Sequence, residues 1–580
     1  MNVNNKRKAG YAVILVASLL VFAVLFFATD GFKISKTDVD DAKGSSIFVK
    51  APEFSKSSGF YSKAFYLRMS VPEGTTVYYT LDGSEPDKNA TRYTEPIYLE
   101  NATEHENVYS MRTDTSTGFY SDLIEKRKTL DEDPHYTAPD YLVDKCNIIR
   151  AVAIDNSGNK SEISTASYFV GISPAKYRHC NIISVVSDPS NFFDYTNGIY
   201  VTGRSFDKYL NDSKLVSNWR LWSANYTRKG KEWERPATFE FFNEGGKLLL
   251  NKNGGIRIQG GVSRGALPRG LNFYSREKYD ASEVFNYELF GNDASFFPHS
   301  VTLTSCGNQT ITQFNDIMMA DRVKGLNFAV MDFEPYVLFI DGEYWGFYRL
   351  ASKFDEYFIE YKYQVDKDNV AIIKNSNLEC GTNTSLNHYN QMKSFISGND
   401  MRDSANYARA CEYIDINSFI DYYATQIYIA RQTDWPFANF ALWRSIEKRD
   451  GKYADGKWRW LLFDSNSTAM QADIVNDNSL QFVIENDEVF ASLWDNEEFR
   501  KAFETRILEI SDTCFNASEM DAYIDSYKEE MRPILSESWK RFYGKGNNKN
   551  EEYDRLMEGY KVFFEGRKAV VETWFDSDKN

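Results

Sequence analysis

Cysteine and histidine are scarce in this sequence of 580 residues. Cys146, Cys180, Cys306, Cys380, Cys411 and Cys514 stand far apart with no C-x-x-C pair, which excludes a zinc ribbon and a dense disulfide scaffold. The five histidines form neither H-x-x-x-H nor H-E-x-x-H, so histidine-centred metal or triad chemistry has no motif behind it. Positive charge is also short. Lys and Arg number 67 against 83 Asp and Glu, a net charge of −16, the wrong sign for gripping phosphate backbones. Nucleic acid is therefore not an expected partner. Aromatic residues, by contrast, are plentiful at 16%, within a 42% hydrophobic and 26% charged composition that is ordinary for a globular protein. Such an excess serves either a thick core or a surface on which a cell-surface glycan could stack.

One long apolar run stands out. Tyr11 to Ala28 carries no charge and follows Lys6, Arg7 and Lys8; its 18 residues reach about 27 Å as a helix, enough for a bilayer core. No clear cleavage site follows Ala28, so residues 1–28 read as a short cytoplasmic stub and an uncleaved transmembrane signal anchor. The cations orient it, which predicts a single-pass cell-membrane protein with most of the chain outside the cytoplasm. Residues 29–47 are polar and read as a tether.

Residues 48–171 read as a small all-β sandwich. Val77, Tyr79 and Leu81 alternate with Thr76, Tyr78 and Thr80 before an Asp82-Gly83 turn, and Ile148 to Ile154 alternates in the same way. A charged stretch between them, about residues 101–145, reads as a long insertion. Residues 175–580 form a mixed α and β region, helical from 481 onward, where Phe499, Phe503, Ile507 and Ile510, then Met520, Tyr523, Ile524 and Tyr527, recur at helical spacing. A last helix is expected between Glu551 and Phe575.

Within that region, Gly254 to Gly265 (GGIRIQGGVSRG) begins as a strand and becomes a glycine-rich loop. Backbone amides at Gly260 and Gly261, with Arg264 beside them, have the chemistry of a phosphate cradle, although no Walker lysine follows. Asp341-Gly342 marks a tight hairpin between 336–340 and 343–350, with Lys353, Asp355 and Glu356 just beyond. An amphipathic helix through Ile416, Phe419, Ile420, Tyr423 and Ile427 precedes Asp434-Trp435-Pro436-Phe437-Ala438-Asn439, where the proline forbids helix. D-x-x-x-x-N is the spacing of a kinase catalytic loop, in which the Asp receives the substrate hydroxyl proton and the Asn holds a metal. Downstream, alternation in Lys457 to Asp464 (KWRWLLFD) places Trp458, Trp460, Leu462 and Asp464 on one face, so that Asp464 closes a strand where it could hold Mg²⁺.

Together these segments, with NIISVVSDPSNFFDYTNGIYVTG (181–203) and KGKEWERPATFEFFN (229–243), resemble the spore coat protein H (CotH) kinase family. Residues 77–86 and 93–97 resemble the immunoglobulin-like module appended to chitobiases, which implies display or spacing. The implied fold is α+β: an atypical protein-kinase-like domain with a helical C-terminal part, preceded by the sandwich and the anchor. The implied activity is ATP-dependent phosphorylation of Ser or Thr on a protein substrate, with Mg²⁺ or Mn²⁺. Carried over, Asp434 is the catalytic base, Asn439 and Asp464 are metal ligands, and Gly260, Gly261, Arg264, Arg269 and Lys353 meet the nucleotide. Three positions depart from the family pattern: Gly270 stands where relatives carry lysine, Ser352 where they carry glutamate, and Asn466 where an acid is common. A non-catalytic pseudokinase or adhesin that binds a protein or glycan partner therefore stays open beside the kinase.

Overall fold

The computed structural model describes residues 49–117, 136–178, 180–212, 219–290, 296–467 and 470–575. The expected anchor and tether lie outside these, as does part of the insertion. Among the described residues no helix is long and apolar enough to cross a membrane.

The N-terminal module is a five-stranded sheet in the order Gly59–Tyr61, Ser164–Val170, Asn147–Asp155, Thr75–Thr80, Thr91–Arg92, with a second, two-stranded antiparallel sheet of Phe65–Leu67 and Ile97–Leu99. Its long strand has apolar residues of both parities. Ile149, Ala151 and Ala153 point into the module's own core with Leu67 and Val77, while Ile148 points out into the core of the kinase-like region. Phe169 does the same, its ring 5.6 Å from Phe242 and 5.0 Å from Phe339. Where a spacer was expected, the module shares a core with that region, because two apolar side chains occupy the face that a free sandwich would give to polar ones. The insertion is tied down as well: both oxygens of Glu343 accept backbone N–H groups, one from Val108 and one from Ser110. Tyr93, half-buried, accepts the N–H of Met69, which makes it part of the module's packing.

The next unit is a closed seven-stranded barrel, ordered Leu248–Ile258, Leu271–Tyr274, Ser300–Thr304, Glu343–Ala351, Phe333–Ile340, Asn181–Val186 and Arg235–Phe242. Alternation fills it: Ile256 and Ile258, Leu271 and Phe273, Val301 and Leu303, and Tyr348 and Leu350 all face one interior. Asp341 and Gly342 take φ of 45° and 88°, the left-handed pair that a two-residue hairpin turn demands.

A second five-stranded sheet runs Ala329–Val330, Arg459–Leu462, Ala441–Ser445, Val370–Lys374, Asn377–Cys380. Helix Ile416–Tyr428, buried along almost its whole length, lies between this sheet's Trp460 and Phe499 of the C-terminal helices. Those helices are Ser479–Asn486, Glu488–Trp494, Glu497–Thr513, Ala517–Tyr543 and Lys549–Thr573, and the predicted stripe of Phe499, Phe503, Ile507 and Ile510 is fully buried. The α+β class and the helical C-terminal part are thus what the chain builds. All six cysteines are free thiols.

Candidate active site

The loop after helix Ile416–Tyr428 is organised by an arginine that the sequence did not single out. Arg431 is fully buried, and its guanidinium donates to Asp434 through both edges, Nε to Oδ1 and Nη2 to Oδ2, each at 3.0 Å. Burying one charge without the other would be costly, so the pair holds the loop in shape. Asp434 also accepts from the Trp435 N–H at 2.9 Å and from Asn439 Nδ2 at 2.6 Å. Arg431 Nη2 reaches on to the carbonyl oxygen of Asp464 at 2.6 Å, linking this loop to the end of strand Arg459–Leu462. Asp434, Asn439 and Asp464 are therefore brought together, although Asp434 is a tied carboxylate where a free base was expected. Asn439 and Asp464 both adopt left-handed φ, 55° and 57°, a conformation concentrated at functional sites in residues other than glycine.

Asp464 lies in a field of opposing charges. Burial pushes its carboxyl above the ordinary value, Asp434 adds to the rise, and Arg431 and Lys374 oppose it. Asn466 Nδ2 donates to Asp464 Oδ1 at 2.8 Å and, at 3.2 Å, to a third acid, Asp316. Asp316 begins its helix, Asn315–Arg322, and accepts the Ser465 N–H at 2.6 Å; burial and then the Asp464 charge push it up to about 6. Asn466 is thus the connector between two carboxylates. Lys374 ends the strand that pairs with Ala441, two residues past Asn439, and its ammonium lies 4.4 Å from the Phe463 ring centre. Lys374 is exposed as a residue, yet desolvation by its surroundings pushes its ammonium below lysine's usual value, and the Lys353 charge lowers it further.

The glycine-rich loop approaches from the barrel. Gly260 takes φ of 106°, followed by a short turn at Val262–Gly265, and a Cβ on Gly261 would meet nothing within 4 Å, so its backbone is open to a ligand. Gly307 bridges to the acids: a Cβ there would lie 3.3 Å from Ser263 and 3.8 Å from the Asn466 amide. The loop and the Asp464 turn therefore share one cleft. Lys353 faces it too, 5.5 Å from the Tyr274 ring, which also carries Arg257 at 4.2 Å and Arg276 at 4.8 Å. Arg257 Nε already faces the buried Glu234 carboxylate at 3.7 Å, and Arg276 donates to the same carboxylate through Nε and Nη2, each at 3.0 Å, so these two cations are balanced by an acid.

Two expected nucleotide contacts are placed otherwise. Arg264 folds back to close its own loop, donating to the carbonyls of Gly260 at 2.6 Å and Arg228 at 2.7 Å. Arg269 is wholly buried, its guanidinium 3.7 Å from the Tyr226 ring and 5.0 Å from Tyr200, so it packs the barrel end. A lysine at Gly270 has no room as packed, because its Cβ would fall 2.4 Å from Gln259 Oε1. Asp355 caps helix Glu356–Tyr363 through the Phe358 N–H.

Among the described residues no three His, Cys, Asp or Glu side chains form a metal cage by themselves. The donors present, one carboxylate and one amide oxygen, fit an ion that completes its shell with phosphate oxygens and water, as Mg²⁺ does.

The model of the CotH kinase protein family matches residues 256–571, more than half of the chain, and that of the Fn3-associated domain matches 67–168. No curated protein matches the sequence. The chain belongs to the CotH kinase family and carries an immunoglobulin-like module before the kinase domain.

Proposed function

We propose that the chain is a membrane-anchored, extracytoplasmic protein kinase that transfers the γ-phosphoryl group of ATP to Ser or Thr hydroxyls of a surface or coat protein. The observation that carries this reading is the Arg431 bridge, which sets Asp434, Asn439 and Asp464 in one place, facing a glycine loop that reaches the same turn. Asp464 and the Asn439 carbonyl oxygen would hold Mg²⁺ or Mn²⁺, which when bound neutralises phosphate charge. Gly261 offers open backbone to the phosphates next to the left-handed turn at Gly260, while Lys353 and Lys374 supply the positive charge that the replacement at Gly270 removes. Asp434 orients the acceptor. Both its oxygens are occupied, so it receives the hydroxyl proton once the Asn439 amide N–H turns away, the same turn that offers Asn439 Oδ1 to the metal. The substrate oxygen then bonds the γ-phosphorus, ADP leaves with the electron pair of the broken P–O bond, and Asp434 keeps the proton.

The test is incubation of the full chain in detergent micelles with γ-labelled ATP, each metal in turn and an acceptor protein. Label on Ser or Thr that disappears in Asp464→Ala is expected. A non-catalytic pseudokinase is the second reading, favoured by the full occupancy of Asp434 and the closed space at Gly270. ATP and metal that raise the melting temperature without any transfer of label would select it.

A further inference from the structure

A cavity of about 430 Å³ lies against the opposite side of the Asp434 loop. Its near wall is Trp435 and Phe437 of that loop, its floor includes Tyr389, Tyr423 and Trp460, and Glu485 stands at the mouth. The loop has this two-sided form because Asp434 and Asn439 bond to each other across it, which leaves the apolar side chains between them to the other face. Phe437 is 44% exposed at the entrance, a large ring with a cavity behind it and no cover in front.

Resting on the kinase reading, we propose that this cavity is the subsite that selects the protein substrate, taking an aromatic side chain that lies two to four residues from the phosphorylated Ser or Thr. The spacing follows from the loop: Phe437 is three residues from Asp434, so the two are at most about 10 Å apart, the length of about three residues of an extended substrate strand. The chemistry of the walls selects the ligand. Ring-lined pockets reward an inserted ring with stacked and edge contacts. A sugar would need free polar groups, and those on the floor are engaged: the Tyr423 hydroxyl donates to Asp487 at 2.7 Å, and the Tyr389 hydroxyl lies 3.4 Å from Ser376 Oγ. At the mouth, Glu488 is paired with Lys393 at 3.5 Å, whereas Glu485 has no cationic partner among the described residues and accepts from the Gln481 amide, so the rim is net acidic and disfavours an acidic neighbour beside the ring.

The experiment uses the full chain and fluorescein-labelled nonapeptides of Gly and Ala around one Ser, with Phe, Lys or Glu placed in turn at each flanking position. Anisotropy without ATP reads binding, and γ-label transfer reads phosphorylation. Phe at one or two positions within four residues of Ser is expected to bind at least tenfold tighter than Glu there. Ile484→Trp, which narrows the mouth, should raise KM for that peptide about tenfold while leaving kcat, and KM for the Lys peptides, unchanged. Phe437→Ala, at an exposed position, should weaken binding in the same selective way. Binding of the Phe peptide without label transfer would keep the subsite and sink the kinase reading. Transfer with no positional preference, or with KM untouched by both variants, would overturn the subsite and leave the kinase. Chitooligosaccharides displacing the Phe peptide at equal concentration would overturn it in favour of a glycan site.

Discussion

The two sides of the cleft are built differently. On the helical side the polar side chains of the site are tied to one another: Arg431 to Asp434 and Asp464, Asn439 to Asp434, Asn466 to Asp464 and Asp316. On the barrel side the glycine loop satisfies itself through Arg264, leaves Gly261 open, and gathers Lys353, Arg257 and Arg276 around Tyr274. The first side is tied together by its own hydrogen bonds, whereas on the second Arg257 and Arg276 pair with the buried Glu234 and Gly261 keeps an open backbone. Of the three positions read as departures from the family pattern, Asn466 lies on the first side, between Asp464 and Asp316, and Gly270 and Ser352 lie on the second. Under the kinase reading, Lys353 and Lys374 stand in for the lysine that Gly270 lacks.

This contrast can be broken from either side. The largest effect is expected from Arg431→Ala, which leaves the Asp434 carboxylate without its buried partner and should cost about 3–5 kcal/mol, read as a lowered denaturation midpoint. An equally large loss from Arg264→Ala would erase the distinction between the two sides. Asp464→Ala removes the ligand proposed for the metal and should lower kcat at least about a hundredfold, roughly 3 kcal/mol, with little change in melting temperature in the absence of ATP. A control lies away from the cleft, at the seam between module and barrel. There Glu240 takes hydrogen bonds from Ser58 and Asn251, and burial pushes its carboxyl up to about 7. Because this folded value exceeds the unfolded one, the native state holds a proton that the unfolded chain has already lost between pH 4.5 and 7. Stability from this group is full below about pH 4.5 and falls by about 3 kcal/mol as pH rises through 7, so Glu240→Gln should flatten that slope and leave phosphoryl transfer unchanged. The smallest effect is expected at Gly260→Ala, where φ of 106° and a Cβ only 2.2 Å from Ser263 Oγ should cost about 1–2 kcal/mol and weaken the ATP-induced rise in melting temperature.

How far the sequence discloses this arrangement depends on how local each cause is. The Asp341-Gly342 turn, the buried stripe from Phe499 to Ile510 and the strand Arg459–Leu462 rest on neighbours in the chain and are visible as patterns, although the strand stops two residues before Asp464, which was expected to close it. The Asp434 and Asn439 spacing is legible for the same reason. Arg431, three residues before Asp434, carries a signal only in retrospect: an arginine at the end of an apolar helix needs an acid nearby if it is to be buried. Asp316 has no such signal, because its partners Ser465 and Asn466 lie about 150 residues downstream and only the fold brings them close. Arg269 misleads because a basic residue next to a departed lysine looks like a substitute, whereas barrel closure turns it onto Tyr226. The merging of the module with the barrel is hidden in Ile148 and Phe169, whose apolar character reads as core without saying whose core.

The central claim is that the helical side is ready and the barrel side is completed by nucleotide. Hydrogen exchange of the full chain with and without ATP and Mg²⁺ tests it most directly. Slowed exchange across residues 259–266 with residues 429–440 already slow and unchanged is the predicted result. Slowing confined to 429–440, or none in either segment, would contradict it.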